Sequence, residues 1–191
     1  MGAFDHIVVL LSFVYALALT HLLTRMGSLL IARKRVKFSG LLCLAMANAI
    51  LFVFSNWLQL WDLHGMKGWD IVSISIQFAF AIMVYFVCLL AAPEHEEGHE
   101  EIDMREYFRL QHRPFYFALL GAAILSLAGN AAYLKTPNAG LFLKESIGVL
   151  PMFLPVVAAL IFSGRLVQWA CGIALFVMMA GFTLAFSNTL A

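Results

Sequence analysis

Charge is what this sequence has least of. Only 12% of its 191 residues are Asp, Glu, Lys or Arg, about half the share of an ordinary soluble domain. Neither sign dominates: 12 Lys and Arg against 11 Asp and Glu leave a formal +1, so no basic face for nucleic acid is implied and no nucleic-acid partner is expected. Cysteine is limited to Cys43, Cys88 and Cys171. An odd, scattered set inside apolar runs fits neither a disulfide framework nor a metal-ligand spacing, and reads as small buried apolar side chains. No repeat with a period of about 20–50 residues is present. What remains is apolar: 63% of residues are hydrophobic and the mean hydropathy is +0.90. A chain of ~200 residues exposes too much surface to hide that excess in one soluble core. A soluble enzyme, a disordered chain and a disulfide-stapled secreted module are excluded, and the expectation is an all-α membrane protein.

Crossing ~30 Å of hydrocarbon takes about 20 apolar residues in a helix. Six runs meet that need, at about 7–32, 38–63, 71–92, 114–134, 141–163 and 166–186, and predict one transmembrane domain over 1–191, a six-helix bundle. The first run is too long for a cleavable signal and lacks a basic leader. His6 stands where N-myristoylation needs Ser or Thr. The fifth run carries Lys144 and Glu145 near its start and Pro151 and Pro155 inside it. Prolines one turn apart remove donors and crowd carbonyls, so a bend is expected there.

Lys and Arg set orientation. Eight lie after the first, third and fifth runs (Arg33, Lys34, Arg35, Lys37, Arg105, Arg109, Arg113, Arg165), against three on the other side (Lys67, Lys135, Lys144). Both termini are therefore expected outside, with the polar connection 93–113 in the cytoplasm. Trp57, Trp61 and Trp69 would form the outer aromatic belt and Trp169 the inner one. Three helices on each side of the connection would give halves of opposite topology, an arrangement that recurs in transporters, although no residues match between the halves.

The connection holds seven of the 11 acidic residues and the run His95-Glu96-Glu97-Gly98-His99, which satisfies the H-E-x-x-H pattern. On a helix that spacing puts two imidazoles on one face to hold zinc, with the glutamate as base. A metal centre of His95, Glu96 and His99, for zinc or another divalent cation, is one candidate. Against it, Gly98 weakens a helix and the surroundings are acidic where metalloprotease helices are apolar; a solvated acidic loop is the preferred reading. Downstream, Met104, Tyr107, Phe108 and Gln111 share one helical face and Arg105, Arg109 and His112 another. This predicts a short interfacial helix before the fourth span, with Arg105, Arg109 and Arg113 toward lipid headgroups. Pro114 would then open the fourth span at a first-turn position.

Ionisable and polar side chains inside spans are costly and so are functional candidates. The first run aligns His21, Thr24, Arg25 and Ser28 on one stripe, and the second aligns Asn48, Ser55, Gln59 and Asp62. The third adds Ser73, Gln77 and Tyr85, and the fourth Ser126, Asn130 and Tyr133. His21, Thr24, Arg25, Asn48, Gln59, Gln77 and Tyr85 form the candidate intramembrane polar site, with His21 and Asn48 at similar depth. The alternative is that these groups glue helices through hydrogen bonds, small residues letting backbones approach. No cofactor is expected. Bis-histidine haem needs two deep histidines and only His21 is deep; a retinal Schiff base needs a mid-membrane lysine, and all five lysines are terminal or in connections.

Phe4–Ser12 (Phe-Asp-His-Ile-Val-Val-Leu-Leu-Ser), Ala18–Arg25 (Ala-Leu-Thr-His-Leu-Leu-Thr-Arg), the basic Ala32–Val36 and Ile102–Arg113 with its Asp-Met-Arg-Glu-Tyr-Phe core resemble a group of small bacterial multi-pass inner-membrane proteins of no assigned activity. The resemblance covers about the first third of the chain and that one segment. It implies a bacterial inner-membrane protein of about six helices and brings no activity, cofactor or partner with it. The residues themselves predict a non-enzymatic, self-associating channel- or transporter-like protein with a site for an ion, lipid or small solute. The alternatives are an accessory subunit of a larger membrane complex and a metal-binding membrane protein through His95 and His99.

Overall fold

The computed structural model describes residues 3–61, 70–94, 102–133 and 139–187. Among them the chain forms α1 (Ala3–Ile31), α2 (Gly40–Gln59), α3 (Ile71–Ala91), α4 (Met104–Tyr133), α5 (Ala139–Ser146), α6 (Phe153–Ile161) and α7 (Arg165–Ser187). Helices α1 to α4 and α7 are long and apolar enough to cross a membrane, and α5 with α6 makes a sixth span if the bent pair counts as one. A soluble helix buries one apolar stripe and shows charge on the other face. Here only 22% of the most apolar stretch of α1 is buried, and no crossing-length helix exceeds 44%. Phe13, Leu30, Phe117, Leu154 and Leu166 all stand exposed. The chain is an all-α integral membrane protein.

Its interior is built from small residues. Helix α3 packs against α1, α4 and α2, α2 against α7, and α6 against both α4 and α7. Ala18, Ala49, Ala81, Ala122 and Ala159 are fully buried at these contacts, where the absence of bulk lets backbones approach. Gly172 marks the tightest approach of α7 to α2: a Cβ there would stand 2.7 Å from Leu44 Cδ2. The helix starts are fixed by aspartates in the manner of N-caps. Asp70 Oδ1 accepts from the Ser73 N–H at 2.8 Å, and Asp103 Oδ1 accepts from the N–H groups of Arg105 (2.8 Å) and Glu106 (3.2 Å). Strands β1 (Val36–Lys37) and β2 (Ile102–Asp103) pair in parallel, fastening the connection after α1 to the one before α4.

One expectation changes and one is met. The separate interfacial helix is instead the first turns of α4, which runs unbroken through Pro114. Met104 and Phe108, expected on the face of an interfacial helix turned away from the headgroup arginines, are buried against protein, and that packing holds the turn in line. Pro114 and Leu110, whose carbonyl loses its donor, are both exposed, so the defect lies on the surface. The fifth run is bent by 63° between α5 and a second piece, Leu150–Ile161. The proline ring excludes the carbonyl four residues earlier, which for Pro151 is Ile147, the residue at which the helix stops. Pro155 causes no break, because it is the third residue of α6, where the missing N–H is an orphan anyway.

The start of α4 and the start of α7 share one end of the bundle, since Arg105 and Arg165 line the same small cavity. At the opposite end, Asn130 of α4 donates to the Glu145 carbonyl and to Ser146 Oγ, both at 3.2 Å. The chain between Ser146 and Arg165 therefore returns along the length of the bundle.

Candidate functional site

The break between α5 and α6 opens a cavity of ≈ 90 Å³ bounded by α2, α3, α4 and α7. At roughly 30 Å³ per water, it has room for about three waters or a solute of a few heavy atoms. Its polar lining is Ser55, Asn56 and Gln59 from α2, Ser126 and Asn130 from α4, and Glu145 from α5. Phe80, Met179 and Phe182 supply the apolar walls. The lining is made possible by Gly148, over which the Phe182 ring lies so closely that a Cβ would sit 2.7 Å from its Cε2. Asn130 is held by the broken strand of helix described above, and Asn56 Nδ2 donates to the Phe52 carbonyl at 2.6 Å. Ser55 Oγ meets Thr183 Oγ1 at 2.6 Å, joining α2 to α7 beside the cavity. Hydroxyls and amides line this space together with Glu145, and among the described residues no Lys or Arg does, so it offers hydrogen bonds in both directions.

The expected single polar stripe is spread over separate places. His21, half-buried on α1, lies with its ring centroid 6.0 Å from that of Tyr85 on α3, and its Nε2 is buried without a protein partner among the described residues. Asn48 is buried and faces α7, its Nδ2 donating to the Gly172 carbonyl at 3.0 Å. His21 and Asn48 thus serve different helix contacts. Thr24 is exposed, and its carbonyl accepts from Ser28 Oγ at 3.1 Å. Gln59 alone of the expected site lines the cavity at the break. Gln77 is half-buried on α3, two turns from Tyr85. His95, Glu96 and His99 lie outside the described residues, as do Asp62 and Trp69.

Arg25 closes the end of α3. Its Nη1 donates to the carbonyls of Leu89 (2.8 Å) and Ala92 (2.9 Å), and its Nη2 reaches Glu94 Oε2 at 3.1 Å. Tyr107 of α4 donates to the same Ala92 carbonyl at 3.1 Å. The last carbonyls of a helix have no intrahelical donors, and a cation there also meets the negative end of the dipole. Arg25 is therefore a structural clasp among α1, α3 and α4. Of the three headgroup arginines, Arg109 is tied to Glu106 through Nε–H···Oε2 at 2.9 Å, Arg113 is exposed, and Arg105 lines the small cavity at the basic end.

Sequence reasoning passed over Gln168. It is buried in α7, and its Nε2 donates to the carbonyls of Ala159 and Phe162, both at 2.8 Å, capping α6. The available signal was the rule applied to the other spans, that an amide in an apolar run must find partners. Thr183, on the same helix, was missed in the same way. No protein-family model, curated protein or solved structure matches this chain. The chemistry is read from its side chains.

Proposed function

We propose that this is a six-span membrane protein of channel or transporter type, with both termini outside, whose binding site is the polar cavity at the α5–α6 break. The single observation that carries this reading is the cavity itself, lined by Ser55, Asn56, Gln59, Ser126, Asn130 and Glu145 where a span is interrupted. Irregular backbone at membrane depth is tolerated where it lines a cavity, and interrupted helices mark substrate and ion sites in transporters. The return of the chain from Ser146 to Arg165 supports counting α5 and α6 as one crossing. The clustering of Arg33, Lys34, Arg35, Arg105 and Arg165 at one end supports a cytoplasmic assignment for that end. A lining of amides, hydroxyls and Glu145 suits a small cation or an uncharged hydrogen-bonding solute better than an anion.

Reconstitution into liposomes tests this with Na⁺, protons and glycerol as probes. Uptake of at least one above protein-free liposomes, reduced several-fold by Asn130→Leu and by Gln59→Leu, is the expected result. Rates equal to protein-free liposomes for all three, or a rate indifferent to both substitutions, would remove the cavity as the working site.

A further inference from the structure

At the opposite end from that cavity, a second one of ≈ 130 Å³ is formed where the starts of three helices meet. Ser39 and Gly40 line it from α2, Arg105 and Phe108 from α4, and Arg165 and Trp169 from α7. Ser39 is only 6% exposed and occupies the N-cap position of α2, yet its hydroxyl caps nothing and has no hydrogen bond to the described residues. The guanidinium groups of Arg105 and Arg165 make no hydrogen bond or salt bridge with the described residues. The carboxylate of Asp103, just before α4, is occupied by the N–H groups at the start of that helix and feels Lys37 as well as Arg105.

Helices α2 and α7, of 20 and 23 residues, both begin at this cavity, and helix starts carry orphan N–H groups and partial positive charge. They come together because position 40 is glycine: a Cβ there would stand 2.9 Å from Cη2 and Cζ2 of Trp169. The chemistry on display is therefore two arginines without a hydrogen-bonded carboxylate, the unpartnered hydroxyl of a buried serine and two helix starts around a space large enough for a tetrahedral oxyanion. Arginine forks match phosphate oxygens geometrically.

We propose that this pocket binds a phosphate group, held by Arg105 and Arg165 with Ser39 as a third donor. The phosphate comes from the headgroup of an anionic phospholipid or from a free phosphate species; both present the same oxygens. This binding is independent of the cavity at the helix break.

The test uses the full chain in two arms. In a phosphate-free maltoside detergent, calorimetry follows the addition of inorganic phosphate. In nanodiscs containing phosphatidylglycerol, native mass spectrometry counts lipids retained after release. Retention of phosphatidylglycerol identifies the lipid source, and binding of inorganic phosphate the free one. In whichever arm binds, Arg105→Gln with Arg165→Gln is expected to weaken binding at least tenfold, Ser39→Ala several-fold, and Arg109→Gln not at all. Ser39→Ala removes only a hydroxyl, so it keeps the question open to refutation should the double variant fail to fold. Binding in neither arm, wild-type binding by Ser39→Ala and the double variant, or an equal loss in Arg109→Gln would overturn the proposal.

Discussion

Arg25 shows how one side chain in a membrane helix can be spent on architecture. Removing it leaves the Leu89 carbonyl without its donor and the Ala92 carbonyl with Tyr107 alone. An orphaned buried acceptor costs about 1–3 kcal/mol, so Arg25→Ala should lower thermal stability by that order. Glu94→Gln should change it by less than about 1 kcal/mol, because the Glu94 carboxylate is 74% exposed and such pairs are weak. Melting both variants in one detergent compares them, and a larger loss in Glu94→Gln would refute the clasp. Asp103 gives a pH prediction. The Glu106 N–H first, then that of Arg105, hold its carboxyl below the ordinary carboxylate range, with Lys37 adding to the effect. A carboxyl depressed in the folded state stabilises fully above its unfolded pKa of about 3.9 and loses that contribution as pH falls through the lower folded value. The melting-temperature advantage of wild type over Asp103→Asn should thus be constant near neutral pH and shrink on acidification below about pH 4. An advantage that grew in acid would contradict the capping role. Polar residues in spans were legible as a set, but not their partners. Linear spacing puts Asn48 and Gln59 on one stripe of α2, yet the neighbours of that stripe change along its length, from α7 at Gly172 to the cavity at the break.

At the scale of elements, helix positions follow from hydropathy because a lipid-facing helix must be apolar over its whole length. What hydropathy does not fix is where a helix stops for reasons of packing. Pro114 and Pro151 look alike in sequence, but only the second lies at a break. Around the first, Met104 and Phe108 before what would be a gap and Phe115 and Tyr116 after it are all anchored in the protein, while the Ile147–Val149 turn is held apart by the Phe182 ring over Gly148. That close approach is testable against a glycine in open space. Gly148→Ala forces the ring to move and should destabilise by about 1–3 kcal/mol, as overpacking does. Gly27→Ala in α1, with nothing within 4 Å of its added Cβ, should stabilise by about 0.5–1 kcal/mol through helix propensity. Opposite signs in denaturant unfolding are the expected outcome. The same sign in both would show that the Phe182 contact does not set the geometry of the break.

For the whole molecule, two opposed ends carry opposed chemistry: arginines and helix starts at one, amides, hydroxyls and Glu145 at the other. This division was partly visible in the sequence, because eight basic residues fall after alternate spans. The pocket between α2, α4 and α7 was not, since Ser39, Arg105 and Arg165 are far apart in the chain and only tertiary packing makes them neighbours. The division also decides how the protein should sit, because positive charge is retained on the cytoplasmic side. Helix α6 has nine residues and rises about 14 Å at 1.5 Å each, under half of the ~30 Å hydrocarbon core. It can complete a crossing only together with α5 and the turn between them. If it does so, Ser163, exposed just after α6, lies on the same side of the membrane as Lys34 and opposite Glu145. In a background with Cys43, Cys88 and Cys171 replaced by Ala, an impermeant maleimide should label Glu145→Cys in intact bacterial spheroplasts, and Lys34→Cys and Ser163→Cys only in inverted vesicles. Labelling of Ser163→Cys from the same side as Glu145→Cys would make the bent pair a re-entrant loop and would put the two ends of the chain on different sides.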